Sequence, residues 1–164
     1  MESDSRYLVK NETDKAFKVF TDKILSGADG LCITREHPAK VKRRYGLENT
    51  PVVWLTAERT EAHRTVDSLI DLSILIGDFL QRVKRGVILL DGFEYLITNH
   101  GFNPFIKFLQ FTRDRLELSN STLIAPLLED ALDMKQARLI EREMRPYTIS
   151  KAPNSEAGLI VLAT

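Results

Sequence analysis

The run Gly86 to Ile97, Gly-Val-Ile-Leu-Leu-Asp-Gly-Phe-Glu-Tyr-Leu-Ile, constrains the fold more than any other stretch. A strand with one wet face alternates apolar and polar residues, whereas a continuous apolar run bounded by turn residues is covered on both faces. Val87 to Leu90 therefore predicts an interior strand of a parallel sheet, and Gly92 turns the chain straight into an aromatic, helix-like run. Asp91 ends the strand at its carboxyl edge. Ligands of open α/β sheets bind at that edge, and a carboxylate there can hold Mg²⁺ beside a nucleotide.

The rest of the chain supplies the layers such a strand needs. Tyr7-Leu8-Val9, Gly30 to Thr34, Val52 to Thr56 and Ser121 to Pro126 read as further strands. Asn11 or Thr13 is placed to cap a helix carrying Ala16, Phe17, Val19, Phe20, Ile24 and Leu25 at helical spacing. A short basic helix follows from Ala39 to Tyr45, with Pro38 at its first turn. Ala57 to Arg64 reads as a surface loop, and a long helix spans roughly Asp67 to Lys84. Its broad face is Leu69, Ile70, Leu72, Leu75, Ile76, Phe79, Leu80 and Val83. Asn103-Pro104 has the form of a cap and first-turn proline for a helix with Phe105, Ile106, Phe108, Leu109, Thr112 and Leu116 on its face. Asp133 to Gln136 has capping-box spacing and opens a helix through Met144; Tyr147 to Ser150 and Gly158 to Ala163 are weak extended stretches. Alternating strands and helices predict a three-layer αβα sandwich with a mostly parallel sheet, in one domain over residues 1–164.

Charge excludes some functions. Lys plus Arg and Asp plus Glu number 23 each, so no global field recruits nucleic acid or membrane. No apolar run reaches the ~20 residues that cross a bilayer, and the polar, acidic start is unlike a signal peptide. The single cysteine, Cys32, leaves no internal disulfide, which fits a cytoplasmic protein. Placed between Leu31 and Ile33, it reads as a buried packing residue.

Asp91 and Glu94 form the best acidic pair. ATP hydrolysis at such a pair also needs a glycine-rich loop and a lysine around the phosphates. The place for that loop, Val9 to Lys15, has no glycine, and Glu12 and Asp14 would repel phosphate. Asp91 then reads equally well as a helix cap or turn residue. His37, His63 and His100 stand far apart in the sequence with no companion at metal-ligand spacing, so neither metal nor cofactor is expected. No nucleophile elbow and no paired acids of a phosphoacceptor domain occur.

The strongest charge feature is Arg35, Lys40, Lys42, Arg43 and Arg44. On a helix Lys40, Arg43 and Arg44 share a face, either solvated and balanced by Glu36 and Glu48 or set to contact an anion or a partner. The aromatic group Phe93, Tyr95, Phe102, Phe105, Phe108 and Phe111 exceeds what one helix face readily buries, and a member left exposed would mark a protein interface.

Taken together, Tyr7-Leu8-Val9, Gly30 to Arg35, Tyr45-Gly46-Leu47, Pro51 to Thr56 and Leu90-Asp91-Gly92-Phe93-Glu94-Tyr95-Leu96 resemble the archaeal family known as domain of unknown function 835. The resemblance runs from about residue 7 to 144 and leaves 145–164 as an extension. Beneath it the pattern looks like a KaiC/RecA-type core that has lost its phosphate loop, with Asp91 at the position of the Walker B acid. That resemblance implies that the first strand lies inside the sheet, flanked by Leu123 to Pro126 and then by Val87 to Asp91.

The expectation is a non-catalytic, RecA/KaiC-like protein-interaction module in archaeal signalling or regulation, with a protein partner or a homodimer as its contact. One alternative is a binder of nucleotides or other phosphorylated ligands through Arg35, Lys40, Arg43 and Asp91 without a phosphate loop. A third reading is nucleic-acid binding through the basic helix, which the balanced charge makes the weakest.

Overall fold

In a computed structural model that describes residues 6–150 and 159–162, the parallel sheet sits between two helical layers. The strands are β1 (Arg6–Lys10), β2 (Asp29–Thr34), β3 (Val52–Leu55), β4 (Thr65–Val66), β5 (Gly86–Asp91), β6 (Thr122–Leu127), β7 (Arg145–Ser150) and β8 (Leu159–Leu162). The helices are α1 (Thr13–Leu25), α2 (Pro38–Tyr45), α3 (Leu69–Arg82), α4 (Phe93–His100), α5 (Phe102–Ser119) and α6 (Met134–Glu143). Spatial order is β4-β3-β2-β5-β6-β1-β7-β8, parallel throughout except that β8 runs antiparallel to β7. The first strand thus has β6 beside it and β5 beyond, as the sequence reading expects.

Side-chain alternation along the strands separates two cores. Tyr7, Val9, Cys32, Val87 and Leu89 point to the layer of α1 and α2, where they meet Phe17, Phe20 and Val41. Leu8, Leu31, Ile33, Ile88 and Leu90 point to the other layer, against Leu72, Ile76, Phe93, Phe105 and Ile140 of α3 to α6. Val87 to Leu90 are fully buried because β5 is covered on both faces, which is why the run shows no alternation. Cys32 is buried, and desolvation pushes its thiol well above the usual range.

Handedness explains the division of helices. From β1 to β4 the chain moves one way across the sheet with α1 and α2 on one face; from β4 to β7 it moves back with α3 to α6 on the other. Right-handed crossovers require that change of face when the direction reverses. Two neighbouring pairs, β2/β5 and β1/β6, consequently send their following loops to opposite layers. Each pair opens a crevice at its carboxyl ends.

Several local expectations need correction. Ala57 to Arg64 is irregular as expected, but β4 follows it unannounced, its two residues being too short to carry a period. The first helix is capped by neither Asn11 nor Thr13: Glu12 is the N-cap, without a side-chain bond, and Asn11 adopts φ 61°. Helix α5 starts at Phe102, not at an Asn103 cap, because Gly101 at φ 92° makes the corner between α4 and α5. Pro104 then falls in the first turn, where its missing N–H is one that no carbonyl would receive. The capping box at Asp133 and Gln136 forms as its spacing predicts.

Candidate functional site

At the β2/β5 crevice, strand register sets Thr34 opposite Asp91. Thr34 Oγ1 donates to Asp91 Oδ2 at 2.9 Å and accepts from the Glu36 amide at 3.0 Å. Asp91 is therefore neither a cap nor a turn residue: Gly92 is the N-cap of α4, and the carboxylate is held across the sheet. Burial pushes the Asp91 carboxyl up to about 6, opposed by the Thr34 hydrogen bond and Arg35 and reinforced by Glu36 and Glu94. A Cβ on Gly92 would collide with a terminal methyl of Leu55, so a larger residue there would force that side chain to shift.

Around the carboxylate the polar groups are already engaged. Arg35 Nη1 donates to the Leu55 carbonyl at 2.5 Å, and its guanidinium lies 4.0 Å above the Tyr95 ring. Tyr95 in turn donates to Asp67 at 2.8 Å; desolvation raises its phenol first, and this bond adds to the shift. Glu94 does not join Asp91 in a shared site: its carboxylate accepts from the Leu128 amide at 2.8 Å and fastens α4 to the turn after β6.

His37 and His63, distant in sequence, are neighbours in space. Their ring centroids lie 4.7 Å apart, with Trp54 at 5.0 Å from His37, because the loops following β2 and β3 meet at one edge. His37 Nδ1 accepts from the Ala39 amide and so caps α2. Among the described residues no three metal-ligating side chains converge.

The second crevice lies at the carboxyl ends of β1 and β6. It is closed by reciprocal bonds: Asn11 Nδ2 donates to Glu129 Oε1 at 3.2 Å, and the Glu129 amide donates to Asn11 Oδ1 at 3.0 Å. Lys10 pairs with Glu141 at 2.5 Å. The start of α1 is flanked by Glu12 and Asp14, which oppose an anion.

The basic residues are dispersed in their roles. Arg44 pairs with Asp14 at 3.1 Å, and Tyr45 donates to the same carboxylate at 2.5 Å, so the balance comes from α1 rather than from Glu36 and Glu48. Lys40 and Arg43 are exposed, Lys42 is half-buried, and none of the three forms an ion pair with the described residues. Arg35 lies at the Asp91 crevice, on the other side of the turn into α2.

The surface least like a solvated exterior lies on the opposite layer, between α3 and α5. Ile70 (74% exposed) and Ile74 (55%) on α3 line one hollow with Phe111 (49%) of α5, and Leu118 (89%), two turns further along α5, lines the next hollow beside the C-terminal half of α3. These are four of the seven large apolar side chains exposed among the described residues. Phe105 and Phe108 are buried in the core, leaving Phe111 as the aromatic turned outward. The sequence reading placed Ile70 on the buried face and did not single out Ile74 or Leu118. The available signal was an aliphatic lying off the helix's main stripe, on a side otherwise polar.

These features define an α/β sandwich with a threonine-held carboxylate in one crevice of the sheet's carboxyl edge, a second crevice of that edge closed by hydrogen bonds, and an apolar helical face. The chain belongs to the family described as Protein of unknown function (DUF835), whose profile matches residues 9–144. No curated protein matches the chain. Strand β7, just past the matched region, pairs with β1, so the sheet continues into the extension. Among the described residues no helix is long and apolar enough to cross a membrane.

Proposed function

We propose that the chain is a non-catalytic, RecA/KaiC-like module that recognises another protein, in archaeal signalling or regulation within the cytoplasm. The observation that carries this reading is the apolar face of Ile70, Ile74, Phe111 and Leu118, since clustered exposed apolar side chains mark interaction surfaces. Two facts support the RecA-like ancestry: the order β5-β6-β1, and an acid at the end of β5. The Asn11–Glu129 bonds and the carboxylates at the start of α1 disfavour a nucleotide phosphate at the usual edge.

The test is site-specific photo-crosslinking in the producing cells, with the photoreactive residue at Phe111 or at Leu118. Protein adducts at this face that vanish with Ile74→Asp support the reading. Turnover of a nucleotide by the purified chain, abolished by Asp91→Asn, would defeat it.

A second reading rests on one specific observation, the raised pKa of Asp91 at a crevice between strands. It is a phosphorylated-ligand site using Asp91 with Arg35, Lys40 and Arg43. Thermal shift against a nucleotide panel tests it, and Arg43→Glu must abolish any shift that is found.

A further inference from the structure

The interaction face has more chemistry than exposure alone. On α3, Ile70, Ile74, Gly77 and Gln81 recur at helical spacing on one side, and on α5 so do Pro104, Phe108, Phe111, Arg115 and Leu118. Between these rows run two hollows that share Arg115. One, of about 410 Å³, is lined by Leu69, Ile70, Ile74, Phe108 and Phe111 among others. The other, of about 590 Å³, is lined by Gly77, Leu80, Val83 and Leu118 among others. Their joint lining includes three cations, Lys84, Lys107 and Arg115, and no carboxylate.

Arg115 sits at the junction. Its guanidinium lies 4.6 Å from the Phe111 ring and against Gly77, whose lack of a side chain makes the space. Among the described residues it forms no ion pair. A half-buried guanidinium on an apolar floor retains its fork of donors and is more weakly hydrated than an ammonium, so a carboxylate is its natural complement.

We propose that this groove takes an amphipathic α-helix from a partner protein, with aliphatic anchors on one face and a carboxylate that pairs with Arg115. This rests on the interaction-module reading and names the partner's chemistry. Length follows from the rows: Pro104 to Leu118 span roughly 21 Å at 1.5 Å per residue, matching about four turns of helix. Helix-in-groove recognition uses anchors at i, i+3/i+4 and i+7, the spacing that the two hollows offer. A second copy of the chain is a poorer occupant, because a two-fold contact would set the groove, and its three cations, against themselves.

The probe is a phage-displayed library of helical peptides with one randomised face, selected on the full chain and followed by synthetic versions of the winners. The proposal expects winners with aliphatic anchors at that spacing and Asp or Glu on a flank, bound as helices. Their amide-shift changes would map to Ile70, Ile74, Phe111 and Leu118. Arg115→Glu should weaken them about tenfold or more, and exchanging the peptide's acid for Lys should restore binding to that variant. Winners with basic flanks, winners that map elsewhere, or affinities unmoved by Arg115→Glu overturn it. So does concentration-dependent dimerisation that Phe111→Ser abolishes. Crosslinks at Phe111 in cells combined with failed acidic helices would leave the module reading intact and remove only this chemistry; absence of crosslinks at this face removes both.

Discussion

Thr34 and Asp91 face each other across β2 and β5, and one hydrogen bond of 2.9 Å joins them where both strands end. The bond favours ionised Asp91, yet burial outweighs it and the carboxyl is pushed up to about 6. A carboxyl whose folded pKa exceeds its unfolded value near 3.9 is bound to its proton more tightly in the folded state. Its contribution to stability is therefore greatest below about pH 4, falls as pH rises to about 6, and is level above that.

Asp91→Asn removes this penalty while keeping an oxygen for Thr34. The variant should be more stable than the parent at pH 8 by roughly 1–3 kcal/mol, with the difference gone at pH 4. Urea unfolding at both pH values measures it. Equal stability at pH 8 would mean that the carboxylate is better solvated than its surroundings indicate.

Thr34→Val probes the same relationship from the other side. It takes a donor from Asp91 and an acceptor from the Glu36 amide at nearly constant volume. The cost should be about 2 kcal/mol at pH 8, where the bond is to a charge, and smaller at pH 4. The Asp91 pKa should rise beyond its parent value, read by carbon NMR titration of the carboxyl. An unmoved pKa would show that the hydroxyl contributes nothing to the ionised form.

How much of this was legible depends on where the physics is local. Val87 to Leu90 announced a doubly covered strand because burial on both faces leaves no polar position in the run. The Thr34–Asp91 bond was not legible, because it depends on β2 and β5 being neighbours although α2, β3, β4 and α3 intervene. The same holds for His37 beside His63, which only the convergence of two loops creates. In α3 the apolar stripe is wider than the sheet-facing arc, and periodicity could not decide that Ile70 is outside while Leu72 is inside.

Helix α6 is pinned to α5 by a largely buried pair. Arg113 Nη1 donates to Glu143 Oε1 at 2.7 Å, Gln110 adds a bond at 3.3 Å, and the Glu143 carbonyl accepts from Arg6 of β1. Glu143 is nearly enclosed but the Arg113 side chain is 35% exposed, so water softens the loss of either partner. Glu143→Ala should cost about 1–3 kcal/mol, below the full penalty of a dry broken pair, and Glu143→Gln less. Chemical denaturation checks the order; a neutral Glu143→Ala would show that the pair only offsets its own desolvation.

Gly77 offers a case in which stability and binding should move in opposite directions. In a helix interior glycine costs ~1 kcal/mol relative to alanine, because it loses more backbone freedom on folding. A Cβ there collides with the Arg115 guanidinium, the far end of a flexible side chain that can swing into solvent. Gly77→Ala gives up the guanidinium–Phe111 contact, worth roughly 0.5 kcal/mol at an exposed site. The helix gain is larger, so the variant should be up to ~1 kcal/mol more stable, a Tm rise of about 2–4 °C at this chain length. Displacing Arg115 from the groove floor should weaken an acidic helical peptide at the same time. Calorimetric melting and peptide titration on one protein sample separate the two effects. A lower Tm would mean that Arg115 is held in place more firmly than a single ring contact can account for, and tighter peptide binding would mean that its cation was an obstacle rather than an anchor.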